Sequence, residues 1–382
     1  MLESLEKIDW HNLNHAYGDA SDVPELIKSL ASNDEETRRG AIYELYGNIW
    51  HQGTVYEATS YAVPFLVELL KSDEVQDKHE ILVLLFHLAN GHSYKEAHQS
   101  IMARFLGEEE VNSLQYQAEM QVELFWVKQA HNAVAEGIPV YFQLLKHADP
   151  KIKMCVPYTL SALVEQATEI IPTVQAQLET EEDPQVRASL LLCIGVLGAN
   201  QAEQHSQLFS DMLRAENEHP LIKLAAAMAL VMAKNGTPPL EAVKKLVETI
   251  ANPEKVEEAY NALPWSSTGI VADMSMVLCN LEPEAASIAL SPCLEALKEA
   301  TSYSALNLTK ALLYFVFGRN PLQKGMTVYD LTDDQRTVLT TIAACDQAWV
   351  INVNMSHIME AFGLPGWRED LHRFLEVREG KN

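Results

Sequence analysis

Positive charge is what this chain has least of. Across 382 residues, 28 lysines and arginines face 53 aspartates and glutamates, a formal net charge of −25. Such a surface repels phosphate backbones and anionic lipid headgroups, which argues against direct nucleic-acid or membrane binding and favours a basic partner. Cysteine is scarce too. Cys155, Cys193, Cys279, Cys293 and Cys345 are odd in number, far apart, mostly set among apolar residues, and form no Cys-x-x-Cys. They predict reduced core thiols in a cytoplasmic protein rather than a disulfide framework. No run approaches the ~20 apolar residues that span a bilayer. The opening MLESLEKIDW carries acids and no continuous apolar stretch, so no signal peptide is expected.

The signatures of common chemistries are missing as well. There is no G-x-S-x-G and no HExxH. His11 and His15 stand four apart but no carboxylate or thiol set completes a shell, and His87, His92 and His98 surround a glycine-containing turn without regular ligand spacing. GVLGAN, residues 195–200, lacks the glycine spacing of a phosphate loop and reads as a helix end. The sequence therefore predicts no catalytic residue, no metal and no cofactor.

What the chain has is helical period. In the stretch from Arg38 to Leu70, Ala41, Ile42, Leu45 and Ile49 recur at three- and four-residue steps, one buried stripe. His51-Gln52-Gly53-Thr54 breaks the pattern as a sharp polar turn. Ala62, Val63, Phe65, Leu66, Leu69 and Leu70 restart it behind Pro64, which suits a first turn because its missing N–H is unneeded there. Two short amphipathic helices cannot close a core alone and must stack on others.

The unit recurs. VPELIKSL at Val23, VPFLVELL at Val63, IPVYFQLL at Ile138 and IPTVQAQL at Ile171 each put proline second and leucine eighth. Turns follow, with second helices opening as DEETR at Asp34, DPKIK at Asp149, DPQVR at Asp183 and HPLIK at His219. The turn residue is placed to cap the helix, and the Arg or Lys after it to pair with an acid of a neighbouring turn. Self-similarity at ~30–45 residues marks a helical solenoid. Between Gly91 and Gly137 the rhythm is interrupted by an acidic turn, Glu108-Glu109-Glu110, and a strong helix from Leu114 to Ala135. This is read either as an inserted hairpin with a binding role or as an irregular repeat. Beyond residue 236 helical periodicity continues without the signature, with helices expected at Leu240 to Ala251, Ile270 to Leu281 and Asp333 to Ala344 among others, and Asn354 to Phe362 and Gly366 to Leu375 as a closing cap.

Proline in the first helix and D-P-x-[IV]-[KR] opening the second resemble the HEAT repeat over residues 22–235. More narrowly, the chain resembles a group of uncharacterised bacterial HEAT-repeat proteins, through His15-Ala16-Tyr17-Gly18, Gly47-Asn48-Ile49-Trp50-His51-Gln52-Gly53-Thr54 and HNAVAEGI at His131. The resemblance implies an all-α fold, an α-α superhelix of stacked hairpins (a HEAT/armadillo-like solenoid) over residues 1–382, and carries over no catalytic residues.

Candidate binding residues follow from helix geometry. At 100° per residue Tyr43, Tyr46 and Trp50 fall within about 60° of one another, roughly 115° from the apolar stripe. Second helices of a HEAT array line its concave side, so this ridge is a candidate anchor for a partner, with His51, Gln52, Thr54 and Tyr56 extending it by hydrogen bonds. The alternative is that the rings pack on the N-terminal segment against Ile8, Trp10 and Leu13. The functional expectation is a noncatalytic scaffold binding a basic protein partner, of which toxin neutralisation is one concrete version. A DNA glycosylase-like enzyme on nucleic acid, and a bilin lyase-like or small-ligand binder with an aromatic pocket near Trp265 or Trp349, are the alternatives. Oligomeric state is not legible.

Overall fold

The computed structural model describes residues 2–199, 202–233, 238–279 and 281–376. Its described residues are overwhelmingly helical, so the fold is all-α, with only two two-residue β-hairpins among them. No described helix is long and apolar enough to cross a membrane. The chain divides into two compact units, Met1–Glu181 and Glu182–Asn382.

The first unit opens with two 3-10 turns, Leu5–Lys7 and Trp10–Asn12. Strands β1 (Asn14–His15) and β2 (Gly18–Asp19) then form a hairpin. Helices α1 (Val23–Ser29) and α2 (Glu35–Asn48) make the first pair, and a second hairpin, β3 (Trp50–His51) with β4 (Thr54–Val55), leads to α3 (Glu57–Leu70) and α4 (Lys78–Ala89). Short helices α5 (Tyr94–Ala97), α6 (Gln99–Leu106) and α7 (Glu108–Val111) precede the long α8 (Leu114–Ala135), and α9 (Ile138–Leu144), α10 (Pro150–Ser161) and α11 (Ala167–Thr180) close the unit. Helix packs on helix pair by pair: α1 on α2 and α3, α4 on α2, α3, α8 and α10.

The second unit contains α12 (Pro184–Leu197), α13 (Ala202–Arg214), α14 (Pro220–Met232), α15 (Leu240–Ala251), α16 (Glu257–Asn261), α17 (Ile270–Leu278), α18 (Pro283–Glu299), α19 (Ser302–Phe317), α20 (Asp333–Ala344), α21 (Asn352–Ala361) and α22 (Arg368–Glu376). Its core is lined by α12, α14, α15, α18 and α19. The expected helix over 270–281 ends at Leu278, and Asn280 lies outside the described residues, as do Asn200 of GVLGAN and the repeat boundary at 235.

The turn signature performs as its chemistry predicts. Asp34 accepts from the Thr37 N–H, Asp149 from Lys151, Asp183 from Gln185 and Val186, and His219 Nδ1 from Leu221. The basic residue that follows reaches an acid at the next turn: Arg38 Nε to Asp77 at 2.7 Å, Lys153 Nζ to Glu181 at 2.8 Å, and Arg187 to Glu218 at 2.8 and 3.0 Å. Three of the four signature turns are thus latched to the turn that follows; the fourth differs, Lys223 donating to the Glu216 carbonyl at 3.3 Å, before its own turn.

Two proline placements differ from expectation. Pro24 and Pro139 do sit in first turns, but Pro64 and Pro172 lie inside α3 and α11. Helix α3 begins earlier because the buried Thr59 hydroxyl accepts from the Tyr56 N–H and donates to the Ile49 carbonyl at 2.6 Å, tying its first turn to the end of the preceding pair. Burial of one whole face of α3, from Ala58 to Leu70, offsets the cost of an interior proline. The predicted acidic turn Glu108-Glu109-Glu110 is likewise the helix α7, whereas α8 spans the residues its period predicts.

Candidate functional site

Along the N-terminal ends of α2, α4 and α10 runs a cleft of about 1160 Å³. Five carboxylates line it, Asp34, Glu35, Glu36, Asp77 and Glu80, against Arg38, Arg39 and Lys151. Acids collect here for a local reason: carboxylates near helix N-termini are stabilised by exposed N–H groups and the helix dipole. Asp34 is spent on its cap, and the Thr37 hydroxyl and N–H hold its carboxyl below the usual range. Asp77 is spent on Arg38, which is buried and also donates to the Ser32 carbonyl. Glu80 lies 3.4 Å from His79. Glu35 and Glu36, both exposed, face the solvent of the cleft.

Two of the seven residues singled out from the sequence line this cleft. Tyr43 is 76% exposed and Tyr46 half-buried at its inner end. Tyr46 marks where the expected ridge turns inward, because α2 stops at Asn48 and Trp50 belongs to β3. Of the N-terminal residues named as alternative partners for these rings, Trp10 lies against Phe65. Tyr46 meets Trp50 edge to face at 5.7 Å and His87 of α4 at 5.7 Å, while Trp50 and His87 lie 5.1 Å apart. The series continues through Phe86 to Tyr158 of α10, stacked at 3.7 Å. Burial pushes the Tyr46 hydroxyl far up and the His87 imidazole down, so both stay neutral and contribute shape rather than charge.

Of the remaining predicted residues, Trp50, His51, Gln52 and Thr54 sit on the hairpin and Tyr56 follows it, none of them in the cleft lining. The sequence reads His51-Gln52-Gly53-Thr54 as a polar turn between helices; it is a two-residue β-hairpin in which Gln52 and Gly53 have φ of +50° and +96°. His51 carries the Tyr17 ring at 5.5 Å, with the Tyr17 hydroxyl 3.4 Å from His51 Nδ1. Thr54 is buried beside His92, whose N–H donates to the Gly53 carbonyl at 2.9 Å and whose carbonyl accepts from Val55 at 3.3 Å. Tyr56 precedes α3, and burial, then the nearby charge of Glu123, raises its hydroxyl. Gln52 is exposed at the tip.

Below the first hairpin, His15 Nδ1 accepts the Tyr17 N–H at 3.0 Å, leaving Nε2 to donate to Asp22 at 2.9 Å. Asn48 donates to the same carboxylate at 2.5 Å and its carbonyl accepts from Ala16. The HAYG and GNIW segments are therefore joined through one carboxylate, a structural role. His11 lies 3.6 Å from Asp19, apart from that network. Among the described residues no three His, Cys, Asp or Glu side chains gather in a metal-holding group.

No family model matches this chain, and no curated protein matches it. Among solved structures, a crystal structure of an engineered protein is similar over 94% of this chain and 95% of its own, at 18% identity and a TM-score of 0.30. That superposition is too loose to carry an argument about fold or function.

In the second unit the tryptophans named from the sequence are tied internally. The Trp349 indole is buried and donates to the Ile342 carbonyl at 3.0 Å, and Trp265 donates to Ser189 at 2.8 Å. The sequence misses His87 as a ring partner, since its only signal is a helical position shared with apolar neighbours. It also misses the cleft acids as a group, because they come from two turns more than 40 positions apart at their extremes.

Proposed function

We propose that this chain is a HEAT-type helical-repeat protein of the cytoplasm, a noncatalytic scaffold that holds a basic segment of a partner protein in the Tyr43 cleft. The latched turns support the repeat reading. The observation that carries the binding reading is one large exposed ring, Tyr43, standing at a cleft lined by five carboxylates, two of them, Glu35 and Glu36, facing solvent. A lysine- or arginine-bearing segment would find carboxylates for its charges and a ring face for its stems or guanidinium planes. A toxin-neutralising role is the version in which that basic partner is a secreted toxin.

The test is affinity purification from the native host at low and high salt, with wild type, Tyr43→Ala and the Glu35→Gln/Glu36→Gln pair. A basic protein retained at low salt, released at high salt and bound at least about tenfold more weakly by Tyr43→Ala is expected. Tyr43→Ala leaves the unfolding midpoint within about 0.5 kcal/mol of wild type, as a surface change should. Recovery of nucleic acid or a small cofactor in place of protein overturns the reading.

A further inference from the structure

The helix α8 carries apolar side chains on the wrong side. Tyr116, Ala130 and Val134 bury one face against the unit, while Leu114, Ala118, Val122 and Phe125 lie within about 80° of one another on the opposite face. That face of a surface helix is ordinarily polar, yet Leu114 is 92% and Phe125 58% exposed. The stripe is about 16 Å long, three helical turns. Nearby α6 adds Phe105, 81% exposed, and buries none of its own residues. Exposed apolar surface of this extent and regularity marks a contact surface.

The surrounding charge says what the contact is with. Exposed Glu108, Glu109 and Glu110 of α7 abut the Leu114 end of the stripe. Between α6 and α8 lies a pit of about 180 Å³ with Met102 and Leu106 as apolar walls and Glu110 and Glu119 at its rim. Lys95, also in the pit, is committed to Glu119 at 3.0 Å and to the Tyr116 ring. Gln115 holds the other Glu119 oxygen, so the pit suits the apolar stem of a long basic side chain with Glu110 to meet its cationic head. A second copy of this chain is disfavoured, because each copy carries −25 and three turns fall short of the ~800 Å² per partner that stable dimers bury.

We propose that the outer face of α8 docks a basic amphipathic helix of a partner protein, its apolar residues along Leu114, Val122 and Phe125 and its lysines or arginines against Glu108, Glu109 and Glu110. This surface is separate from the Tyr43 cleft and does not depend on that reading.

The probe is a fluorescein-labelled, amidated leucine–lysine helix of about 18 residues, long enough to be helical when bound, with anisotropy read on the full chain. Val122→Asp/Phe125→Asp is expected to weaken binding about tenfold, and Glu108→Gln/Glu109→Gln/Glu110→Gln to flatten the salt dependence. Far-UV circular dichroism verifies folding, and the single Leu114→Gln, at the most exposed position, carries the readout if the double variant misfolds. Unchanged affinity in the stripe variant overturns the proposal, as does equal binding of a leucine–glutamate helix. So does a wild-type dimer in sedimentation that Val122→Asp/Phe125→Asp dissociates, or stripe-dependent binding to phosphatidylcholine–phosphatidylglycerol vesicles in place of the peptide.

Discussion

Gly53→Ala separates two reasons for a glycine at the tip of the second hairpin. Its φ of +96° is left-handed backbone, which costs an L residue about 1–2 kcal/mol. An added Cβ would also stand 2.6 Å from His92 Nε2. His92 cannot retreat as a whole, because its N–H and carbonyl are both held by the hairpin, at 2.9 and 3.3 Å. Its ring must rotate off its preferred angle, about 0.5–1.5 kcal/mol. The stiffer unfolded chain of the alanine variant returns about 0.4–1 kcal/mol. The net expected loss is about 2 kcal/mol, read as weakened amide-exchange protection across α2, α3 and α4, which follows opening of the first unit alone. In a double-mutant cycle with His92→Ala, the ring clash disappears and the φ cost stays, giving a coupling near 1 kcal/mol. A loss under about 0.5 kcal/mol, or strict additivity with His92→Ala, would refute this account of the turn.

Acid should act at two further places. Burial holds the His87 imidazole below its ordinary range, so the unfolded chain takes up a proton that the folded chain refuses. Stability is then full above about pH 6.5 and falls as pH drops toward the lowered folded value. His87→Phe removes that slope, checked by urea unfolding at pH 7 and pH ~5; parallel behaviour of variant and wild type contradicts it. Burial acts to raise the Glu218 carboxyl, but the Arg187 fork and the His219 N–H outweigh it and hold it below the usual range. Its contribution is present above the ordinary glutamate value and lost as pH falls through the lowered folded one. Glu218→Gln therefore costs about 2 kcal/mol at neutral pH and the gap to wild type narrows below about pH 4; a gap independent of pH sinks the assignment.

The helical class was legible because apolar residues at three- and four-residue steps force it, and the turns because Asp34, Asp149, Asp183 and His219 each have an N–H to accept. Helices α8, α15 and α20 begin and end where their periods predict. The two hairpins were not legible. Strands of two residues have no alternation to detect, and neither Ala16-Tyr17 nor Gln52-Gly53 is the Asn-Gly pair that announces such a turn. The seven-residue candidate site was legible only in part. Tyr43 and Tyr46 reach the cleft, whereas Trp50 left the helix one residue after its cap and turned its ring to His87, a contact 37 positions away in the chain. Sequence spacing describes a helix face well and describes nothing beyond the helix end.

The five cysteines are all free. Cys155, Cys193 and Cys293 are sealed from solvent, and burial pushes the thiols of Cys155 and Cys293 up to about 12. Since alkylating reagents attack the thiolate, these sulfurs react only when the packing around them gives way. Cys155 then clocks one half of the chain and Cys193 and Cys293 the other. A mass-resolved iodoacetamide time course on the natural protein would time the two openings side by side, with no label to install.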